Sequence, residues 1–462
     1  ESTLLYQKMV KDKKTTPSRE LPLGFVDRQE KELLIRDFVI SNIKEVMIKY
    51  GFQYLETPSF EYTDSIGKFL PDKDRPDQGV FSFKDEKNWL SLRYDLTAPL
   101  ARYVAKNYLE LPKPFKRYQL GTVWRNEKPG PGRFREFLQF DADFIGTKNL
   151  MADAELCVMI SEIHEKCGLD KKDYTIKWST RKLTDALFEK LKISSSNKRL
   201  KILRSLDKLD RLGWDEVKKL LGKGRKDKSG DFTEGAELSS SQIQDVYEIF
   251  VKKEVIPSGD NYEEGAGKDI RSMTNFLDVF GFKNYKFDPS IIRGLEYYTG
   301  PVFEVNLNFE VKNSKGKTIQ FGSIGGGGRY DNLVSNFGNF DCPATGISIG
   351  LDRLVFALMQ KKDFKIKSTR PIVICVFDKD KNKEYTGILN ELRSSNISSE
   401  IYPGEGKLKK QMEYANKIGS PAVILYGEDE IKSGKATLKN LETGNESSVK
   451  IEDIVSEIKK II

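Results

Sequence analysis

Residues 124–137 read WRNEKPGPGRFREF. The turn Lys128-Pro-Gly-Pro-Gly132 carries the strongest local breakers, and residues 115–126 and 135–145 on either side read as a long antiparallel strand pair. Arg125, Glu127, Arg133 and Arg135 flank the turn. A hairpin sets such residues around one concave surface, and arginine forks suit bidentate contact with phosphate, although such a group taken alone is more commonly a set of surface charges on a hairpin. Gln139, Asp141 and Asp143 follow at period two and project to one face of the second strand. Three polar residues in a row on a central-looking strand are hard to explain as core and favour a polar pocket.

Outward from this hairpin the chain alternates in character. Residues 28–50 have apolar spacing for a helix stopped by Gly51, and residues 52–57 read as a strand closed by Pro58. A loop rich in Pro, Asp and Lys, residues 67–79, precedes two strand-like runs, VFSFKD and WLSLRYDLT. Residues 151–168 read as an amphipathic helix. From 180 to 267 the pattern turns polar, basic and helical, which reads as an inserted helical subdomain. Strands return in FDPSII, PVFEVNLNFEV and TIQFGSIGG, and a helix begins near Gly350. After residue 370, β and α units alternate over about 90 residues, as in a small separate α/β domain. The first 20 residues read as loosely ordered and without the apolar run of a secretory signal.

Composition narrows the chemistry. The chain has 462 residues, with 38% hydrophobic and 32% charged, a globular composition with room for a large core. No stretch approaches 18 apolar residues, so no membrane-spanning helix is expected. Cys157, Cys167, Cys342 and Cys375 include no pair two residues apart, which argues against a zinc ribbon or thioredoxin-type site and for reduced thiols. The one histidine, His164, excludes a multi-histidine metal site and reads as a surface or half-buried residue of a helix. The net charge of +8 is unevenly spread: residues 192–235 hold 13 Lys/Arg against 7 Asp/Glu, whereas residues 370–462 hold 15 of each. That segment is either a solvated helical surface or a patch facing an anionic polymer.

Two glycine-rich stretches remain. GSIGGGGRYD, residues 322–331, lacks the spacing of a dinucleotide loop or P-loop, but consecutive glycines require a close approach of backbone to a ligand or another strand. GISIGLDR, residues 346–353, alternates glycine in a strand and ends on Arg353 at a helix start, which would aim the arginine into space the glycines clear.

In order, TPSFE around Pro58, WRNEKPGPGRFREF with Gln139, and GISIGLDRL resemble motifs 1, 2 and 3 of class II aminoacyl-tRNA synthetases. RGLEYYTG, residues 293–300, and GGGGRYD resemble the two signatures of histidyl-tRNA synthetases, and SLRYDLTAPLARY, residues 91–103, resembles the loop of that family that binds the amino acid's ammonium group. The resemblance runs from about Leu23 to the end and points to a bacterial-type branch. PLGFVD, residues 22–27, departs from the Lys-Gly-x-Arg-Asp run of many members, which bears on acceptor-end recognition.

The resemblance implies an α/β (α+β) fold: a class II catalytic domain, residues 1–370, with an antiparallel sheet flanked by helices; a helical insertion, residues 180–267; and an α/β anticodon-binding domain, residues 371–462. It implies ATP-dependent ligation of L-histidine to tRNA(His) through histidyl-adenylate, with Mg²⁺, in a homodimer built on motif 1, located in a bacterial cytoplasm or an organelle of bacterial descent. It assigns Asp95, Thr97 and Gln139 to the amino end of histidine, Leu96 to the histidine site beside them, and Asp143 and Tyr298, with Tyr297 beside them, to the imidazole. It assigns Arg125 to the α-phosphate and the histidine carboxylate, Glu127 to the adenine amino group, Phe137 and Arg353 to the adenine faces, and Arg133 to the outer phosphates. Arg293 takes a catalytic place at the α-phosphate and beside the histidine. A non-catalytic relative, such as a regulatory subunit of ATP phosphoribosyltransferase, generally lacks the C-terminal domain and loses the catalytic arginines. Here Arg125, Arg293 and Arg353 are all present.

Overall fold

The computed structural model describes residues 18–67, 79–130, 132–226, 230–253, 262–292, 294, 297–313, 315–319, 321–366 and 370–462. Most of the N-terminal stretch expected to be loose, most of the 67–79 loop, and Arg293 lie outside the described residues. The chain divides into two units, Glu1–Phe364 and Lys365–Ile462.

In the first unit the opening helix, α1 (Glu30–Lys49), begins with Glu30 and Glu32 and ends with Lys49, each favourable for the helix dipole. It buries Ile35, Val39, Ile43, Val46 and Met47, one apolar stripe at helical spacing. Gly51, at φ +72°, ends it in a conformation that favours glycine. The expected strand at 52–57 shrinks to β1 (Gln53–Tyr54). Then come β2 (Phe60–Tyr62), β3 (Ser82–Asp85) and β4 (Asn88–Leu92), which form a small antiparallel sheet in the order β2-β4-β3, followed by α2 (Thr97–Lys106). The hairpin forms as expected but is one or two residues shorter at its turn end: β5 (Phe115–Trp124) pairs antiparallel with β6 (Glu136–Ile145) from Phe115↔Ile145 to Trp124↔Glu136.

After α3 (Met151–Lys166) and β7 (Tyr174–Thr180), the insertion packs helices Arg181–Lys190, Ser196–Leu206, Trp214–Leu221 and Ser240–Tyr247 around an apolar cluster that includes Leu187, Ile202, Leu221 and Phe250. It is not purely helical, since Gly224–Lys226 pairs with Phe232–Glu234. The chain returns through β8 (Tyr285–Phe287), β9 (Pro301–Leu307), β10 (Gly325–Arg329) and β11 (Ala344–Gly350), and then a helix, Leu351–Gln360. The strands expected from FDPSII and PVFEVNLNFEV are shorter: Asp288 and Ser290 form a side-chain-bonded turn, and the second run breaks after Leu307. Among the described residues the main sheet has eight strands in the order β1-β5-β6-β11-β10-β9-β7-β8, parallel only at β1–β5 and β7–β8.

The second unit holds a five-stranded sheet, with Ile372–Cys375 between Ser399–Ile401 and Ala422–Leu425 in parallel, and Lys435–Asn440 and Glu446–Lys450 added antiparallel. Apolar clusters around Ile374 and Tyr385 on one side, and Val373 and Ala415 on the other, make it a core of its own.

His164 corrects the reading of a surface or half-buried residue: it is fully buried in α3, and its Nδ1 lies 2.6 Å from the Ile160 carbonyl oxygen. The helix packs on β10 and β11, so the stripe carrying His164 is core. Burial pushes its pKa down from 6.5 to about 4. A base held neutral this way supports the fold fully above pH 6.5 and less as pH falls toward 4, by about 3 kcal/mol in all. Relative to His164→Phe, the wild type therefore loses about that much stability between pH 7 and pH 4, as urea unfolding at the two pH values will show.

Candidate active site

The register of the main sheet builds the floor of the site. Arg117 on β5 stands opposite Asp143 on β6, which stands opposite Gly346 on β11, which stands opposite Gly328 on β10. Two residues along, the row is Gln119, Asp141, Ser348 and Gly326; two further, Gly121, Gln139 and Gly350. Directly paired residues share a face, and steps of two preserve it. One face of the sheet thus carries Gln139, Asp141 and Asp143 of β6, with glycines beside them. Gly346 is required there, because a Cβ on it would stand 2.0 Å from Asp143 Oδ1.

The carboxylates are enclosed. Asp141 and Asp143 are 1% and 2% exposed. Asp141 accepts from Gln139 Nε2 at 2.9 Å and from Thr97 Oγ1 at 3.3 Å. Asp143 lies 2.9 Å from the Arg117 guanidinium and accepts a hydrogen bond from the Tyr330 hydroxyl. Asp95 Oδ1 accepts from the backbone N–H of Thr97 and Ala98, at 3.2 and 3.0 Å, and so caps α2 and fixes the loop above the floor. Burial pushes Asp95 up to about 6 and Asp143 up to about 7, and raises Asp141 as well; Arg117 pulls Asp141 and Asp143 back toward ionisation. Leu96 is fully buried, so it can offer a ligand only its backbone, and its carbonyl already accepts from Arg117 at 3.2 Å. Tyr297 and Tyr298 rings meet edge to face at 5.2 Å, and Tyr297 lies 5.4 Å from Tyr330. Tyr298 stands over Gly328, whose added Cβ would meet its ring at 3.0 Å.

Beside this cluster opens a cavity of about 540 Å³ whose lining includes Arg125, Glu127, Arg133, Phe137, Gln139 and Arg353. All five residues assigned to ATP from the sequence therefore face one space. Gln139 belongs to both regions: it lines the cavity and donates to Asp141. Arg125 is held at the junction, with Nε donating to the Tyr94 carbonyl at 3.1 Å, Nη2 to Gln139 Oε1 at 3.4 Å, and its guanidinium 5.0 Å from the Phe137 ring centre. Arg353 donates to the Ser323 carbonyl at 2.9 Å and lies over the Phe321 ring at 5.7 Å. Glu127 and Arg133, at the hairpin tip, form an exposed ion pair at 2.5 Å. Gly294, the neighbour of Arg293, lines the cavity too, as does Asp207 from the insertion.

Sequence reading gave no part to Arg117, Tyr330, Ser348, Phe321 or Asp207. Arg117 had a signal, because it shares strand parity with Gln119 and Gly121 and falls opposite Asp143 once the hairpin is registered. Asp207 had none, since it comes from another element of the chain.

A histidyl-tRNA synthetase family model matches residues 24–354, and an anticodon-binding domain model matches residues 371–461. The chain is 44% identical over 464 residues to a histidine–tRNA ligase of Brucella ovis, covering 96% of this chain and 92% of that one. It is 46% identical over 453 residues to a histidine–tRNA ligase of Bartonella henselae, covering 94% and 91%. The crystal structure of histidyl-tRNA synthetase from Nostoc sp. PCC 7120 superposes with a TM-score of 0.74 at 25% identity, covering 97% of this chain and all of that one. Carboxylate pocket, arginine-lined cavity and matched relatives agree, and the chain belongs to the histidyl-tRNA synthetase family.

Proposed function

We propose that the protein joins L-histidine to the 3′ end of tRNA(His) through histidyl-adenylate, releasing diphosphate and then AMP. The observation that carries this reading is the junction at Arg125 and Gln139, where a buried carboxylate cluster meets an arginine-lined cavity. An amino acid with two cationic or donor ends fits the first, and a nucleoside triphosphate fits the second.

In this reading Asp95, Thr97, Gln139 and the Leu96 backbone receive the α-ammonium group. Asp143 accepts from one imidazole nitrogen and Tyr298 faces the other, with Tyr297 packed beside them. Arg125 spans the histidine carboxylate and the α-phosphate, and Arg293 serves the same phosphate. Phe137 and Arg353 hold the adenine faces, Glu127 accepts from its amino group, and Arg133 meets the outer phosphates. The histidine carboxylate attacks the α-phosphorus, an O–P bond forms, the bond to the β-phosphoryl oxygen breaks, and diphosphate leaves. The nucleophile is already an anion, so the protein supplies positioning and charge stabilisation rather than a base. The terminal ribose hydroxyl of tRNA then attacks the activated carbonyl, its proton passes to the adenylate phosphate, and AMP leaves. Mg²⁺ would arrive with ATP, held mainly by the substrate phosphates, since no group of three acidic, histidine or cysteine side chains that could hold a metal stands among the described residues.

ATP–pyrophosphate exchange across a panel of amino acids tests the reading. Exchange that depends on histidine alone is expected, and its absence with Mg²⁺ and ATP present would overturn the proposal.

The second unit is proposed to hold the anticodon and the insertion the acceptor arm. Arg204, Lys218 and Lys223 are exposed on the insertion. Replacing all three with Gln is expected to raise the tRNA KM about tenfold near 0.1 M salt and to flatten its salt dependence, measured against pyrophosphate exchange as the reference for folding. A homodimer is also proposed: Phe60, Tyr62 and Phe83 are exposed on one face of the small sheet that carries motif 1, an apolar face suited to a second copy. No helix among the described residues is long and apolar enough to cross a membrane. A bacterial cytoplasm, or an organelle of bacterial descent, is the proposed location.

A further inference from the structure

Arg117 is wholly buried in the middle of β5. Its Nη2 forms the 2.9 Å ion pair with Asp143 Oδ2 and donates to the Leu96 carbonyl at 3.2 Å, while its Nε and Nη1 have no hydrogen-bond partner among the described residues. A buried guanidinium with two idle nitrogens is a costly way to fill a core, where an apolar side chain of similar volume generally packs as well or better. The position is also specific. Arg117 touches both the residue assigned to the imidazole and the loop, residues 95–97, assigned to the ammonium group. On the other side of Asp143, the Tyr330 hydroxyl donates to Oδ1, and Gly346 leaves no atom that could displace it.

We propose that Arg117 is a positioning residue for histidine recognition, clamping Asp143 as a fixed hydrogen-bond acceptor for an imidazole N–H and tying it to the loop that takes the ammonium group. The proposal rests on the assignment of Asp143 to the imidazole. Three carboxylates, Asp95, Asp141 and Asp143, face this region, and Arg117 is the cation that favours ionisation of the latter two. Protonated, Asp143 would turn from acceptor to donor at one oxygen and lose its grip on a ring N–H. Thr97, Gln139, Ser348 and Tyr330 are the polar side chains bonded to the two β6 carboxylates. They orient these groups but bring no positive charge, so they cannot replace Arg117.

The test is pyrophosphate exchange with L-histidine and ATP varied separately, over pH 5.5–8, on Arg117→Lys, Arg117→Met and Asp143→Asn. Arg117→Lys, which keeps the charge but loses the fork, is expected to raise the histidine KM about tenfold with the ATP KM within about twofold. Arg117→Met is expected to raise it about a hundredfold and to move the acidic limb of kcat/KM for histidine to higher pH, because Asp143 then ionises later. If Arg117→Met does not fold, the histidine-to-ATP split and pH profile of Arg117→Lys decide the matter. Equal losses toward histidine and ATP with an unmoved acidic limb would mean a structural role and overturn the proposal. An unchanged histidine KM in Asp143→Asn would instead overturn the assignment of Asp143, and the role of Arg117 with it.

Discussion

Arg125→Gln is expected to lower histidine-dependent pyrophosphate exchange about a thousandfold while leaving the thermal unfolding curve nearly unchanged. The attacking carboxylate needs no proton removed, so the barrier is set by alignment of two anions and by the charge that develops at the α-phosphate. A preorganised donor at such a position is commonly worth a factor of about 10²–10³ in kcat, and Arg125 adds alignment to that. Its orientation is fixed on three sides, by the Tyr94 carbonyl, by Gln139 and by the Phe137 ring. Glutamine keeps a donor but loses the charge and the fork. The side chain is only half-buried, which is why stability should survive. A fall of less than tenfold would shift the main charge stabilisation to another residue.

Gly346→Ala is expected to disable histidine binding and to weaken the fold together. The new Cβ would stand 2.0 Å from Asp143 Oδ1, 2.7 Å from its Cγ and 3.1 Å from the Ala142 carbonyl. Asp143 has no easy retreat, because Arg117 and Tyr330 hold its two oxygens. The backbone cannot yield cheaply either, since β11 is paired on both sides. A cost of about 2–3 kcal/mol in urea unfolding is expected, with a rise in histidine KM of at least about a hundredfold. Gly350→Ala is the control on the same strand: its Cβ would meet nothing within 4 Å, and a change below about 1 kcal/mol is expected. Equal stability of the two variants would refute the steric argument.

These two positions also show what a one-dimensional reading can reach. The hairpin was legible because Pro-Gly-Pro-Gly sits between two runs of strand-forming residues, and local turn chemistry needs no distant partner. The residues facing the cavity were legible because motif order carried them, and Gln139, Asp141 and Asp143 were legible as one face because strand parity is a local rule. Strand lengths were read less well. The run at 52–57 pairs over only two residues, since ladder length depends on the partner strand. His164 was misread because helix periodicity does not say which neighbours cover a face, and α3 is covered by strands far away in the chain.

By itself, then, the sequence determined the hairpin and the alternation of the C-terminal α/β unit, which follow from local backbone preferences and side-chain period, while the class of the fold and the candidate site residues were implied by the resemblance its ordered motifs carry. Only the tertiary structure decided that Arg117 lies against Asp143, that Tyr330 closes its other side, that Gly346 makes the room, and that Asp207 reaches the cavity. Those are contacts between segments separated by tens to hundreds of residues, and they exist only once β5, β6, β11 and β10 are in register.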